Sequence, residues 1–459
     1  MEDSRKIDML NGNILKKIIL FSIPLMLSGI LQLLFNACDL IVVGKFAGDD
    51  SLAAVGSTSS LISLIINFFM GISVGVNVVV ARAIGKKDRE KSYNAVHTTI
   101  FFSLIIGFFL SVFGVFCARY LLELMDTTID VIDKATLYLQ IYLGGTIFNL
   151  VYNYGAAILR AKGETKKPLY YLTVAGVINV VLNLFFGLVL DMDVDGVAIA
   201  TIASQGISAI LVIKCLMESD DYVHLDLKKL KIDKQALKEV IIIGLPAGIQ
   251  NSLFNISNVF IQKAVNSFNS TAVLAGNTAS SNIGNFIYTS MSAFYQACLT
   301  FTSQNYVAGK MKNCKKVLFY SLLCVTVAGI SIGGIAVLFG KQLLGIYTNG
   351  EEALKYGLIR LTIIGLTYFL CGIADVLVSS IRGLGYSTVP MFVSVLGICG
   401  FRLLWIYTVF KNNHTLSVLF YSYPISWVLT GIAHFICFLI IYKKINNKFE
   451  IKEEIAEGI

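Results

Sequence analysis

The sequence is poor in charge and in the residues that catalysis and metal binding require. Of its 459 residues only 14% are charged, whereas about a quarter are charged in soluble proteins. Its four histidines are scattered, and its nine cysteines stand singly without metal-ligand spacing. It has no H-E-x-x-H motif, no D-D-x-x-D motif, no P-loop and no serine elbow in suitable context. These absences exclude an ordinary soluble domain and predict no enzyme activity, no metal centre and no organic cofactor.

Hydrophobic residues make up 56% of the chain and are gathered into long runs. We count about twelve runs of roughly 20 to 30 residues, the length that crosses a bilayer as a helix. A single segment in lipid satisfies its own backbone only as a helix. The predicted fold class is therefore an all-α polytopic membrane protein with twelve transmembrane helices. The runs lie at 14–43, 51–81, 92–118, 131–159, 168–190, 195–217, 236–265, 271–306, 315–340, 354–381, 388–410 and 414–442.

Basic residues collect in alternate loops and predict the orientation. Arg5, Lys6, Lys16 and Lys17 begin this series, which continues in later loops. The intervening loops are acidic or neutral, so the positive-inside rule places both termini in the cytoplasm of a bacterial-type plasma membrane. The first run is about twice the length of a signal-peptide core, and we expect it to be retained. The net charge of +8 is then loop charge facing membrane lipid, not a nucleic-acid surface. The later basic groups lie at 82–91, 160–167, 214–238, 310–316, 382 and 443–452.

Similar residues recur in the two halves of the sequence at a constant spacing, or offset, which is the spacing between Pro24 and Pro246. The pairs Ala53 and Ala275, Arg160 and Arg382, Gly163 and Gly385, and Pro168 and Pro390 follow the same offset. The offset is expected to slip slightly after the eighth run, where Gly85 meets Gly309. Two six-helix bundles with the same topology are predicted, the parallel-repeat class of transporter.

The predicted domains are an N-terminal lobe (1–218), a cytoplasmic linker (219–234) and a C-terminal lobe (235–459). The linker is interpreted as a solvated connector or an amphipathic surface stretch. Asp233 is a candidate N-cap for the helix that follows it. Gly71, Ser73 and Gly75 in the second run predict close helix packing.

The first apolar run contains a carboxylate, Asp39. A charge at that depth costs several kcal/mol, and desolvation favours the protonated form of a carboxyl group. Proton binding there would bias an element with two conformations. The alternative is that Asp39, about 25 residues into its helix, reaches water at the outer face. We interpret Asp39 as the ion-coupling acid of a secondary transporter.

Three stretches carry a family resemblance. They read N-A-C-D-L-I-V-V-G-K-F-A-G-D-D-S-L-A-A-V-G-S-T (36–58), S-V-G-V-N-V-V-V-A-R-A-I-G (73–85) and I-R-G-L-G-Y-S-T-V-P (381–390). They closely resemble the multidrug and toxic compound extrusion (MATE) family, and the match covers nearly the whole chain. The resemblance implies a twelve-helix antiporter that exchanges drug against H+ or Na+ by alternating access.

The resemblance also implies site residues in the N-terminal lobe. Asp39 matches the first-helix acid of bacterial members, and Asn179 and Thr201 match polar residues that line the same site. Asn153 resembles the fourth-helix asparagine there. Asn183 departs from the family pattern, since many relatives carry aspartate at this place. One carboxylate with several neutral oxygens would also suit Na+, so either coupling ion remains open.

The C-terminal lobe has a second buried acid, Asp375, in the tenth run. It is interpreted either as a coupling or substrate contact or as an ion pair with Arg402 of the eleventh run. Arg360, near the outer end of the tenth run, is expected to snorkel toward the interface.

Polar residues in the first and seventh runs are candidates for the substrate cavity. They serve equally well as hydrogen-bonding groups between helices. These candidates are Gln32, Asn36, Gln250, Asn255 and Asn258.

Three classes of function can be considered for a sequence with these features. The first is efflux of amphipathic, cationic organic compounds in exchange for H+ or Na+, by a protein expected to be a monomer. The second is a flippase for lipid-linked oligosaccharide within the wider superfamily, which would need a more basic cavity than Arg402 alone provides. A channel or passive receptor fits less well, because a twofold repeat with acids buried in its lobes is typical of alternating access.

Overall fold

The computed structural model describes residues 7–44, 48–219 and 221–456. Within these ranges the chain forms helices and no strand, as long apolar segments in lipid require. Arg5 and Lys6 of the predicted cytoplasmic charge series, and Asp220 of the predicted linker, lie outside the described residues.

The helices follow the predicted apolar runs closely. Three of them, α1, α8 and α16, continue through an internal proline, namely Pro24, Pro246 and Pro424. Short π-helical segments at Leu361–Gly365, Val395–Gly400 and Ile406–Phe410 interrupt the later helices. The helices are α1 (Ile14–Val42), α2 (Asp49–Gly85), α3 (Arg89–Leu124), α4 (Ile129–Gly144), α5 (Thr146–Lys162), α6 (Lys166–Leu188), α7 (Val194–Met217), α8 (Lys234–Asn266), α9 (Thr271–Val307), α10 (Met311–Leu338), α11 (Gly340–Gly345), α12 (Glu351–Arg360), α13 (Leu366–Gly383), α14 (Thr388–Ser394), α15 (Phe401–Trp405) and α16 (Leu416–Ala456).

Ten helical stretches of the described chain are long and apolar enough to cross a membrane. The predicted run at 131–159 is not among them, because Gly145 divides it into α4 and α5, of 16 and 17 residues. The run at 271–306 forms α9, which has 37 residues but carries many asparagine, serine and threonine side chains that lower its hydropathy. Length and composition thus single out ten of the twelve predicted runs.

The helix starts in the second half of the chain repeat those of the first half. Helices α2, α3, α4, α6 and α7 begin at positions 49, 89, 129, 166 and 194. Helices α9, α10, α12, α14 and α16 begin at positions 271, 311, 351, 388 and 416, each displaced by the offset that relates Pro24 to Pro246. The offset was expected to slip near Gly85, and this expectation is wrong. Lys87 and Gly309 are separated by the same offset as Pro24 and Pro246, and both adopt a positive φ, of 58° and 73°, at the end of equivalent helices.

The chain divides into two compact units, and two of the boundaries between them fall inside helices. One contains Ile7 and Leu27–Gly248, and the other contains Asp8–Met26 and the chain from Ile249 onward. The boundary in α1 follows Pro24 by two residues, and the boundary in α8 follows Pro246 by two residues. Each unit therefore consists of two separate stretches of sequence.

In the first unit, glycines allow the backbones of α2 and α8 to contact each other directly. A Cβ added at Gly71 would lie 2.3 Å from the Gly248 Cα, and one added at Gly75 would lie 2.2 Å from the Val240 carbonyl oxygen. Small residues spaced by four along each helix make this approach sterically feasible. The close packing predicted from Gly71 and Gly75 is confirmed.

The linker between the halves is held against α3 at Asp226 and Asp233, while the residues between them are exposed except for the half-buried Leu230, as a surface stretch requires. The Asp226 amide donates to His97 Nε2 at 2.9 Å, and the Asp233 amide donates to Thr98 Oγ1 at 2.9 Å. Val223 and Leu225 in the linker are fully buried. The Asp233 carboxylate accepts from the Ala236 amide at 2.7 Å, which confirms the predicted N-cap of α8.

A buried ion cluster closes the turn between α5 and α6. Lys162 and Lys167 contact the carboxylate oxygens of Glu164 at 2.8 and 2.7 Å. Gly163, at φ +96°, caps α5 in the left-handed conformation that favours glycine. Burial would raise the pKa of Glu164, but the hydrogen bonds from Lys162 and Lys167 outweigh it and hold the pKa below its usual value.

We expect Glu164→Gln to destabilise the first unit by about 1–2 kcal/mol, because it leaves a buried lysine with a weaker partner. Since the folded pKa is lowered, the wild-type contribution is present above the usual pKa of 4.5 and is lost as the pH falls below it. Thermal unfolding in detergent at pH 7 and below pH 4.5 checks this. The two proteins should differ at pH 7 and converge in acid, whereas a constant difference at both pH values would contradict the assignment.

Candidate functional site

Asp39 on α1 lies against two asparagines of α6. The Asn183 side-chain amide donates to Asp39 Oδ1 at 2.5 Å and also to Asn179 Oδ1 at 3.3 Å. Asn179 and Asn183 are 4% and 1% exposed, and Asp39 is half-buried. The two asparagines are four residues apart, so one face of α6 presents both to α1. Asp39, Asn179 and Asn183 thus form one hydrogen-bonded group, which we call the Asp39 cluster.

The other two residues predicted for this site make different contacts. Asn153 donates to the Asn149 carbonyl and side-chain oxygens, both at 2.9 Å. Thr201 donates to the Val197 carbonyl of its own helix at 2.9 Å. Of the five predicted residues, the structure joins three by hydrogen bonds.

Two tyrosines of α4 also belong to the surroundings of Asp39. Tyr138 and Tyr142 both interact electrostatically with the Asp39 carboxylate, and their rings stack with centroids 6.1 Å apart. Tyr142 hydrogen-bonds with the side chain of Gln205 on α7. Sequence reasoning missed these residues, although two tyrosines spaced by four in an apolar run were a signal for a shared polar face.

The geometry of the Asp39 cluster suits a group that changes its protonation state. An ionised carboxylate only accepts hydrogen bonds, and the Asn183 amide supplies the donor. The Asn183 carbonyl oxygen is buried and has no hydrogen-bond partner among the described residues. Rotation of that amide by half a turn would present this oxygen to Asp39, where it could accept from a protonated carboxyl or contribute to a cation site.

We expect Asn183→Leu to reduce transport at least about tenfold, because it removes the hydrogen-bond donor to a charged acceptor, a contact of about 1.5–3 kcal/mol. Asn153→Leu, a matched change at a residue bonded to Asn149, is expected to have a smaller effect. Initial efflux rates in proteoliposomes, normalised to inserted protein, measure both. Equal losses in the two variants would contradict a special role of Asn183.

The second unit holds a different arrangement around Asp375. Tyr288 on α9 hydrogen-bonds to the Asp375 carboxylate, and the positive charge acting on that carboxylate is Arg382, on the same face of α13. Arg382 donates to Gln250 Oε1 at 2.8 Å, and both side chains are buried. The sequence pattern grouped Arg382 with the basic loop residues, but its side chain is buried in the interior of the second unit.

The predicted ion pair between Asp375 and Arg402 is not formed in the described part of the chain. Arg402 Nε donates to the Ser426 hydroxyl at 3.2 Å, and its guanidinium lies 3.9 Å from the ring centroid of Tyr423. The basic residue whose charge acts on the Asp375 carboxylate is Arg382, on the same helix. Asp375 and Arg382 are seven residues apart and therefore share one face of α13, whereas Arg402 is on another helix.

The predicted cavity residues differ in exposure. Gln32, Asn36 and Asn258 are exposed, and Asn255 is half-buried and donates to the Asn251 carbonyl at 3.1 Å. Gln250 is only 3% exposed. Its side-chain oxygen is engaged by Arg382, so its role in the structure is that of a hydrogen-bond partner inside the second unit.

A family model, MatE, matches residues 24–185 and 246–408. The probable multidrug resistance protein YoeA of Bacillus subtilis is 28% identical over 389 residues, covering 83% of this chain and 84% of that protein. The multidrug export protein MepA of Staphylococcus saprophyticus is 19% identical and covers 100% of both chains.

A solved structure has the same fold. It is described as the outward-facing conformation of a multidrug resistance MATE family transporter of the MOP superfamily. It superposes with a TM-score of 0.90 at 21% identity, covering 97% of this chain and 100% of that one. The likeness extends over nearly the whole chain.

Proposed function

The chain belongs to the MatE family of membrane transporters, and from this premise we propose that it is a secondary active multidrug efflux antiporter. It exports amphipathic, cationic compounds in exchange for H+ or Na+ by alternating access. The observation that carries the proposal is the Asp39 cluster, in which one carboxylate in an apolar helix is held by the Asn183 amide at 2.5 Å. Intramembrane acids of this kind serve in the ion pathways of transporters.

The proposed architecture has twelve transmembrane helices in two six-helix bundles of the same topology. The constant offset between helix starts in the two halves supports it. The two stretches matched by the family model begin at positions 24 and 246, which are the paired prolines of the repeat. We place the protein as a monomer in a bacterial-type plasma membrane, with both termini cytoplasmic because the basic loops alternate with acidic or neutral ones.

Exchange would work through the charge of Asp39. In the ionised state the carboxylate accepts from Asn183 and attracts a cationic compound. Binding of H+ or Na+ removes that attraction, so compound and ion compete for one charge. A ligand shifts a conformational equilibrium only by its differential affinity for the two states. The cluster joins α1 to α6, so a change in its hydrogen bonds alters the packing of these two helices.

The flippase alternative is not favoured. The relatives described above carry names of multidrug resistance and multidrug export proteins. We likewise propose that the protein has no enzymatic activity and needs no cofactor besides the coupling ion. We assign Asp375 to a structural hydrogen bond with Tyr288, under the electrostatic influence of Arg382, and coupling to Asp39.

The test is ethidium efflux from proteoliposomes with the wild-type protein and one imposed gradient at a time. We expect an H+ gradient or a Na+ gradient alone to drive efflux, and the effective one identifies the coupling ion. Liposomes without protein give the background leak. If neither gradient accelerates efflux above that leak, while the protein is correctly inserted, the antiport proposal is wrong.

A further inference from the structure

Among the described residues of the second unit, two buried arginines have no carboxylate partner. Arg360 and Arg402 are 7% and 5% exposed. Arg360 donates to the hydroxyls of Ser280 at 3.3 Å and Ser281 at 3.1 Å, and Arg402 donates to the hydroxyl of Ser426. Within the described ranges neither guanidinium forms a salt bridge. The expectation that Arg360 snorkels to the interface is wrong.

Both arginines adjoin one group of aromatic rings. Arg402 lies 3.9 Å from the ring centroid of Tyr423 and 5.7 Å from that of Trp427, and Arg360 lies 5.9 Å from that of Phe420. Tyr368 stacks on Trp427 with centroids 5.3 Å apart. The hydroxyl of Tyr368 interacts electrostatically with both guanidinium groups. We call Arg360, Arg402 and these four aromatic residues the arginine–aromatic cluster.

A third buried arginine of the same unit, Arg382, has different partners. Arg382 has Asp375 as a countercharge and Gln250 as an acceptor. Arg360 and Arg402 have only hydroxyls and ring faces, which are weaker partners for a desolvated charge than a carboxylate is. The interior of the unit therefore carries positive charge that its own described residues do not neutralise.

We propose that the arginine–aromatic cluster binds the anionic group of an amphipathic compound, an oxyanion such as a carboxylate attached to an aromatic body. Guanidinium groups match the planar geometry of carboxylates, and the Tyr368–Trp427 stack provides buried aromatic surroundings with which an aromatic body is chemically compatible. An ionised residue inside a membrane protein marks a functional site by default. The inference goes beyond the proposed cation exchange, because it assigns a second site of opposite charge preference and does not depend on Asp39.

The chain has two tryptophans, Trp405 and Trp427, which makes the cluster observable. In purified full-length Trp405→Phe protein, Trp427 is the single intrinsic fluorophore of its type. We would titrate this protein with three probes of one skeleton: 3-phenylpropionate, 3-phenylpropanol and 3-phenylpropylammonium. The expected result is a saturable change in Trp427 emission with the anion, at an apparent affinity at least tenfold higher than with the alcohol or the ammonium probe.

Variants assign the effect to the two arginines. Arg402→Gln and Arg360→Gln should each weaken the response to 3-phenylpropionate at least tenfold, whereas Arg119→Gln, at an exposed arginine of α3, should not change it. Asp39→Asn should keep the response while losing transport, which separates this inference from the antiport proposal. Equal responses to the three probes in the parent protein would overturn the inference even if a variant fails to fold. Retention of the anion response in a folded Arg402→Gln protein would also overturn it.

Discussion

Gradient-driven ethidium efflux is expected to fall to the level of protein-free liposomes when Asp39 is replaced by asparagine. The change keeps the size and polarity of the side chain and removes its charge and its titratable proton. In the structure, the Asn183 amide donates to Asp39 Oδ1 at 2.5 Å, and an asparagine oxygen at residue 39 could still accept that bond. The variant should therefore remain folded and lose the coupling of efflux to the ion gradient.

Two further variants distinguish coupling from a general need for acids. Asp39→Glu keeps the titratable group and should retain part of the transport. Asp133→Asn, at a side chain that is 81% exposed, should transport like the wild type. Asp375→Asn tests the second unit directly. If Asp39→Asn transports normally while Asp375→Asn is inactive, the assignment of coupling to the first unit is wrong.

The second large effect is a loss of stability, expected when the contact between α2 and α8 is changed. In Gly71→Ala the added methyl group would lie 2.3 Å from the Gly248 Cα, so two helix backbones must separate. Overpacking of a tight contact costs about 1–3 kcal/mol and more where the backbone cannot shift. We expect a loss of at least about 3 kcal/mol, seen as a clear decrease in the thermal midpoint or as loss of the folded peak in size-exclusion chromatography.

Gly56 provides a control in the same helix. A Cβ at Gly56 would have no neighbour within 4 Å, so Gly56→Ala should leave the protein unchanged or stabilise it by up to about 1 kcal/mol through helix propensity. The two substitutions are chemically identical and differ only in the space around the residue. A similar midpoint for both variants would contradict the close approach of α2 and α8.

The sequence contained enough information to predict the helices, which depend on local hydropathy, and to predict a repeat, which depends on the spacing of similar residues. Apolar runs of bilayer length form helices wherever they occur, and paired prolines such as Pro24 and Pro246 indicate duplication without any knowledge of contacts. Gly71 and Gly75 predicted close packing, since small residues spaced by four have few other uses in an apolar helix. Asp39 was recognisable because a carboxylate in an apolar run is costly.

Which residues contact one another could not be read in the same way. Asn183 is 144 residues from Asp39, and the rotation of α6 about its axis decides whether Asn183, Asn179 or both reach the carboxylate. The same reasoning applies to Asn153, which faces Asn149 on its own helix. A helix presents every side chain to some neighbour, and the sequence alone does not say which neighbour.

By itself, the sequence determined that this protein is helical and carries apolar runs long enough to cross a membrane, and it predicted two related halves, because hydropathy and internal similarity are properties of the chain. The tertiary structure decided the electrostatic partners. It gave Asp375 a hydrogen bond with Tyr288 and the electrostatic influence of Arg382, and it left Arg360 and Arg402 among serines and aromatic rings. The physical reason is that a charge in low dielectric is governed by neighbours within a few Å, and these neighbours come from helices far apart in the sequence.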